Sequence, residues 1–239
     1  MKSFVIHLRR NTDRTGNVAN LLQNLPLAEV VDAVDGQVLD DKALASVYET
    51  DLHDPKYPFR MGPNEIACFL SHRKCWQKIV DGGDICALVA EDDLNVDAKL
   101  WAPALDVALR NMTPDRIIRF PPKNREKINR KIDQEQGALL FRPSVIGLSA
   151  VLHLIGRNAA QQLLDLTEKF DRPVDTYLQM RWHTGIETLS VYPNGVDNNA
   201  DPIGGSSIQT RLSLKSKLAR AFPRQNYRTK VRKLSEIGS

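Results

Sequence analysis

The most restrictive stretch of the chain is Ile85-Cys86-Ala87-Leu88-Val89-Ala90, which runs straight into Glu91-Asp92-Asp93. An apolar run with no polar interruption does not suit a strand with one face in water. It suits a central, parallel strand of an α/β sheet, covered on both faces. In open sheets of that kind ligands gather beyond the carboxyl ends of the strands. Three adjacent carboxylates at such an end repel one another unless a cation is near. Magnesium and manganese take oxygen ligands and are commonly held by one or two carboxylates together with substrate phosphates. A solvated acidic turn after a strand would be written in the same letters, and spacing alone does not separate the two.

The rest of the chain agrees with an α/β layered fold and a largely parallel sheet. "SFVIHL" reads as a first buried strand, "VANLLQNL" as a helix and "AEVVDAVDG" as a second strand ending in an Asp-Gly turn. "YETDLHDPKYPFRMGP" is turn-rich and is expected to be irregular. A helix is expected from about Asn64 to Gly82, with Glu65 in its first turn; Glu65, Phe69, His72 and Trp76 share one stripe of it. "RIIRF", "ALLF", "VIGLSAVLHLI" and "ETLSVYP" read as further strands, and "RNAAQQLLDL" and "VDTYLQMRW" as helices. "KNREKINRK" reads as a solvated basic loop.

Charge is unevenly placed. From Arg211 onward nine basic residues face one acid, so the +4 of the whole chain leaves the part before Arg211 at −4. In "RLSLKSKLARAF", Leu214, Leu218, Ala221 and Phe222 recur at helical spacing among basic residues, the pattern of an amphipathic helix on an anionic membrane surface. A disordered basic tail is the alternative. Interleaved aromatics are too few for a nucleic-acid partner, and none is expected. No run is long and apolar enough to span a bilayer, and the start of the chain does not read as a secretory signal. Cys68, Cys75 and Cys86 form no CxxC pair and are expected to be reduced core residues in a cytoplasmic compartment.

Three blocks, in order, resemble glycosyltransferase family 25, the lipopolysaccharide-biosynthesis group that includes collagen galactosyltransferases. They are "FVIHLRRNTDR", "GPNEIACFLSH" and "ALVAEDD", with fainter likenesses at "VDTYL", "YPNGV" and "SSI". His7 stands where the family pattern has Asn, Ala67 where it has Gly, and a Tyr is missing from "GLSAVLHLIG". The resemblance implies a GT-A-like nucleotide-sugar-binding fold over residues 1–208, followed by a basic, partly amphipathic tail over 209–239. It implies a metal-dependent, inverting transfer of a hexose from a nucleotide sugar, UDP-linked, to a glycan or lipid-linked oligosaccharide. The enzyme would work in the cytoplasm, on the inner face of the inner membrane.

In that picture Asp93, with Glu91 or else Asp92, holds a divalent metal, Mn2+ or Mg2+; the pair Glu91 and Asp93 is the first choice. Ile6, Leu8, Arg10, Arg14, Asp35, Ser71, His72 and Asp92 contact the donor or buttress the acidic strand end. Asp175 is the expected general base and Glu65 its rival. Structural roles compete for the same residues: a helix cap for Asp175, a first-turn acid for Glu65, a satisfied buried ring for His72, a surface pair with Asp13 for Arg10 and a tight turn for Asp35.

Overall fold

A computed structural model of the chain describes residues 1–198 and 214–237, without the side chains of 214–220 and 237. Ten strands, eight α-helices and one short 3-10 helix (Thr12–Arg14) occur among the described residues. Eight strands form one sheet in the order β2-β1-β3-β8-β5-β9-β7-β6. These are β1 (Ser3–His7), β2 (Ala28–Asp32), β3 (Cys86–Glu91), β5 (Arg116–Arg119), β6 (Ile128–Glu135), β7 (Ala138–Pro143), β8 (Leu152–Gly156) and β9 (Glu187–Tyr192). All but β7 and β8 point the same way, so the expected mostly parallel α/β sheet is borne out. The pairings are nonetheless mixed: β1–β2, β1–β3 and β5–β9 are parallel, and β8 and β7 enter antiparallel. β4 (Asn95–Val96) and β10 (Val196–Asp197) form a separate small ribbon.

β3 is buried throughout its apolar length, as its composition requires. Alternation sends Ala87 and Val89, with Phe4 and Ile6 of β1, into one core. Leu88 and Ala90, with Val5, enter the other. The first core is closed by α3 (Pro63–Asp81) and α5 (Arg157–Leu166), through Phe69, Trp76, Ala160 and Leu163. The second is closed by α1 (Thr15–Asn24) and α4 (Ala98–Arg110), through Leu21, Trp101 and Val107.

Pro63 opens α3, a position where its missing N–H costs nothing. The Glu65 carboxylate accepts a hydrogen bond from Gly62 N at 2.8 Å, closing the first turn. Tight packing also sets the start of α5. A Cβ built on Gly156 would lie 2.1 Å from the Pro114 carbonyl oxygen, backbone that cannot yield cheaply. Gly156→Ala is therefore expected to destabilise the fold by about 1–3 kcal/mol, read as a lowered urea midpoint at unchanged m-value.

Several local expectations are corrected. The strand expected from Val145 begins only at Leu152. The backbone before it is captured by a buried ion pair instead of a ladder: Arg119 donates to the Gly147 and Ser149 carbonyls, and Gly147 N donates to Glu126, Arg119's partner. The helix expected over 174–182 is two short ones, α6 (Val174–Leu178) and α7 (Arg181–Thr184). Gln179 breaks away to bond the Ile146 carbonyl, and Arg181 donates to the Pro143, Ser144 and Ser235 carbonyls. The second half of the basic stretch at 123–131 belongs to the edge strand β6. α2 (Asp41–Val47) and α4 are further helices for which no expectation was drawn.

The basic end of the chain is helical from Leu214 to Ile237, forming α8. Tyr227, Val231 and Ser235, one turn apart, are buried against the body of the protein. Tyr227 Oη accepts from Arg172, which is itself fully buried and paired with Asp171. Phe222 is 81% exposed. The side chains of Leu214 and Leu218, which the amphipathic pattern also used, lie outside the described residues.

Candidate active site

β1, β2 and β3 are parallel, so His7, Asp32 and Glu91 all reach the same edge of the sheet. The chain leaves β1 to form β2 on one side and later returns to form β3 on the other. The carboxyl ends of β1 and β3 therefore flank a topological switch point, where an open α/β sheet has its ligand crevice.

The three acids of the motif separate there. Asp92 turns toward β1 and α1: its Oδ2 is 2.7 Å from His7 Nδ1, its Oδ1 accepts from Arg14, and its carbonyl accepts from Asn17 at 3.2 Å. Its charge is met by protein groups. Glu91 turns to the α3 side, with Oε1 3.1 Å from His72 Nε2. Burial first, then the charges of Asp175 and Asp92, push Glu91 up to about 7. Burial and the neighbouring Glu91 push Asp93 up to about 6. Asp93 Oδ1 is buried without a hydrogen-bond partner.

Asp175 lies in the first turn of α6, whose N-cap is Pro173 rather than Asp175. Its Oδ1 accepts from Thr176 N at 2.7 Å. Burial raises its pKa, opposed by Thr176, Arg119 and His72. The fold thus brings Glu91, Asp93, Asp175 and His72 into one electrostatic neighbourhood, although Asp93 and Asp175 are far apart in the chain.

The remaining expected residues frame this edge. The Ser71 hydroxyl accepts from Val34 N and donates to the Ala67 carbonyl, both at 2.8 Å, tying the β2 exit to α3. Arg10 pairs with Asp35 through two bonds of 2.7 and 2.9 Å, so these two engage each other and not Asp13. Gly36 follows against Asn64, where a Cβ would have no room. Ile6 is buried in the α3-side core and Leu8 is half-buried just beyond β1. Glu65 is held by its cap to Gly62 and stands on the same helix as His72.

Sequence reasoning missed four contributors. His153 stacks on His72, with ring centroids 5.6 Å apart. Both rings are fully buried, which holds His72 down to about 4 and His153 to about 3, so both are neutral. Arg119 and Glu126 brace the backbone of Gly147 and Ser149, and the charge of Arg119 acts on Asp175. Cys68, expected to be plain core, is half-buried, and burial followed by the charges of Glu91, Asp175, Asp93 and Glu65 drives its thiol upward. A period-four repeat of Cys68 and His72 on the stripe facing β3 was the available signal.

The family profile described as glycosyltransferase family 25 (LPS biosynthesis protein) matches residues 1–178. The chain belongs to glycosyltransferase family 25. Its sheet and flanking helices are those of a GT-A-like fold. Among family 25 relatives, the chain is similar to mouse "Inactive glycosyltransferase 25 family member 3", 27% identical over 217 residues that cover 80% of this chain and 35% of the relative. It is also similar to zebrafish (Danio rerio) "Procollagen galactosyltransferase 1", 35% identical over 98 residues, 39% of this chain and 16% of the relative. Human "Procollagen galactosyltransferase 2" matches at 32% over 98 residues, again 39% and 16%. The chain spans about a third or less of the length of these curated relatives. The family 25 blocks at 4–14, 62–72 and 87–93 are the segments that build the switch-point edge.

Proposed function

We propose that this chain is a divalent-metal-dependent, inverting glycosyltransferase. It moves a hexose, galactose in the first instance, from a UDP-linked donor to a hydroxyl of a lipopolysaccharide or other surface glycan. The observation that carries this reading is the grouping of Glu91, Asp93 and Asp175 at the switch-point edge. Two relatives named galactosyltransferases support the sugar.

Glu91 and Asp93 fit a hard cation, Mn2+ or Mg2+. Both are carboxylates raised first by burial and then by neighbouring acids, Asp175 and Asp92 for Glu91 and Glu91 and Asp92 for Asp93, and Asp93 offers a buried, unpartnered oxygen. When bound, the ion supplies Lewis-acid neutralisation of the departing diphosphate. Arg14 and His7 lock Asp92, and the partly exposed Arg14 guanidinium is suited to a phosphate. Asp175 takes the proton of the acceptor hydroxyl. Its burial makes it a stronger base than an aqueous carboxylate.

The charge state of the pair sets a pH signature. Glu91 and Asp93 have native pKa values above their ordinary ones. Without a cation the folded chain therefore holds more protons than the unfolded one between about pH 4 and 7, and stability declines as pH rises through that window. A cation needs both groups ionised. Mg2+ should raise the melting temperature clearly at pH 7.5 and little at pH 5.5. An equal rise at both pH values would remove Glu91 and Asp93 from the ion's binding site.

The test of the whole reading is nucleoside diphosphate release from a panel of nucleotide sugars with Mn2+ and acceptor glycans. Donor binding with no release against any acceptor would favour the alternative function, a non-catalytic relative that binds nucleotide sugars or glycans, to which the relatives named inactive lend support.

We further propose that α8 meets an anionic membrane surface, placing the protein on the inner face of the inner membrane. Its basic residues and the exposed Phe222 support this. Because Tyr227 and Val231 are buried against the body, deleting the tail would disturb the fold. The cleaner test is Phe222→Glu, expected to weaken sedimentation with anionic liposomes severalfold while melting is unchanged. Equal sedimentation would sink the idea.

A further inference from the structure

We propose that Cys68, His72 and Glu91 form a second metal site, for a borderline-soft ion such as Zn2+, and that filling it withdraws Glu91 from the hard-cation pair. The site itself rests on geometry; only the competition rests on the reading of Glu91 given above.

Cys68 and His72 are four residues apart on α3, so both side chains project from one face of the helix. Glu91 meets that face from the end of β3. One ligand atom from each residue can be chosen so that all three lie within 4.8 Å of one another. His72 Nε2 and Glu91 Oε1 are 3.1 Å apart. Zinc bonds of the usual lengths to sulfur, nitrogen and oxygen put tetrahedral ligand atoms about 3.3–3.6 Å apart. A triangle with no edge above 4.8 Å and one edge of 3.1 Å brackets that size.

The supports on either side are stiff. α3 is anchored in the core by Phe69 and Trp76, β3 lies inside the sheet, and the His72 ring rests on His153. A sulfur–nitrogen–oxygen set discriminates by softness: thiolate and imidazole favour Zn2+ over Mg2+ or Mn2+, which keep to the carboxylates. Three protein ligands leave a fourth position for water or a donor oxygen. Binding replaces the Cys68 S–H bond with a sulfur–metal bond and sends the proton to solvent. Zn2+ would then inhibit a protein that Mn2+ activates.

The test uses the full chain without donor or acceptor, and Co2+ as a spectroscopic substitute for Zn2+. Wild type should show a sulfur-to-cobalt charge-transfer band that Zn2+ abolishes. Cys68→Ser should lose the band and bind Zn2+ at least about tenfold more weakly. Cys75→Ser, altered in the core, should keep it. In wild type, Zn2+ should slow alkylation of Cys68, a readout that does not depend on how a variant folds. It should also suppress Mn2+ uptake followed by electron paramagnetic resonance.

A missing band, a band that survives Cys68→Ser, or unprotected Cys68 would overturn the site. Undiminished Mn2+ uptake at saturating Zn2+ would overturn the competition. A cobalt band in a protein that transfers no sugar supports this site and counts against the transferase reading alone. Mn2+-dependent transfer without the band does the reverse.

Discussion

Asp93→Ala should lower sugar transfer by about a thousandfold or more and weaken donor binding in the presence of Mn2+. The magnitude follows from what is lost. Asp93 supplies a buried oxygen with no protein partner, placed beside a second raised carboxylate. Removing it leaves Glu91 as the main anchor of an ion that must offset charge on the departing diphosphate. Removing one such stabilising group in an active site commonly costs a hundred- to a thousandfold, about 3–4 kcal/mol. Loss of part of the ion's occupancy adds to that. The fold should survive, because the substitution relieves repulsion with Glu91, and the variant should melt no lower than wild type in the absence of metal. Diphosphate release under saturating donor is the measurement. Near-normal turnover would mean that the acidic motif does not act through a metal at Asp93.

Asp175→Asn should lower kcat by about a hundred- to ten-thousandfold with little change in donor affinity. The amide oxygen can still accept from Thr176 N, so the first turn of α6 keeps its bond. What disappears is proton uptake. The discriminating comparison is Glu65→Gln, which retains an acceptor for Gly62 N and so keeps the helix cap. If Glu65→Gln is the crippled variant and Asp175→Asn is active, the base is on α3. Donor binding by calorimetry separates a lost base from a distorted pocket.

Much of this site was legible one segment at a time. The apolar run into Glu91-Asp92-Asp93 predicted a central strand with acids at its end, and β3 is that strand. The Pro63 start, the first-turn acid Glu65 and the Phe69–His72–Trp76 stripe were written in the spacing of α3, whereas the bond of Glu65 to Gly62 N was not. Harder to read were the segments held by distant partners. The late start of β8 follows from Arg119 and Glu126 taking the backbone of Gly147 and Ser149. The break between α6 and α7 follows from side chains reaching 33 or more residues away. His7 looked only like a departure from a pattern; its bond to Asp92 spans 85 residues.

The sequence by itself determined the sheet-and-helix layering, the family and the presence of a carboxylate cluster at a strand end, because each is encoded in short-range patterns of apolarity and charge. Only the tertiary structure decided how the cluster divides. Alternation along β3 separates Glu91 from Asp92, but what covers each face comes from elsewhere in the chain. Arg14 and His7 meet Asp92, whereas His72, Cys68 and Asp175 meet Glu91. Burial and neighbouring charge set a carboxylate's protonation, and both are properties of packing that adjacent letters do not carry.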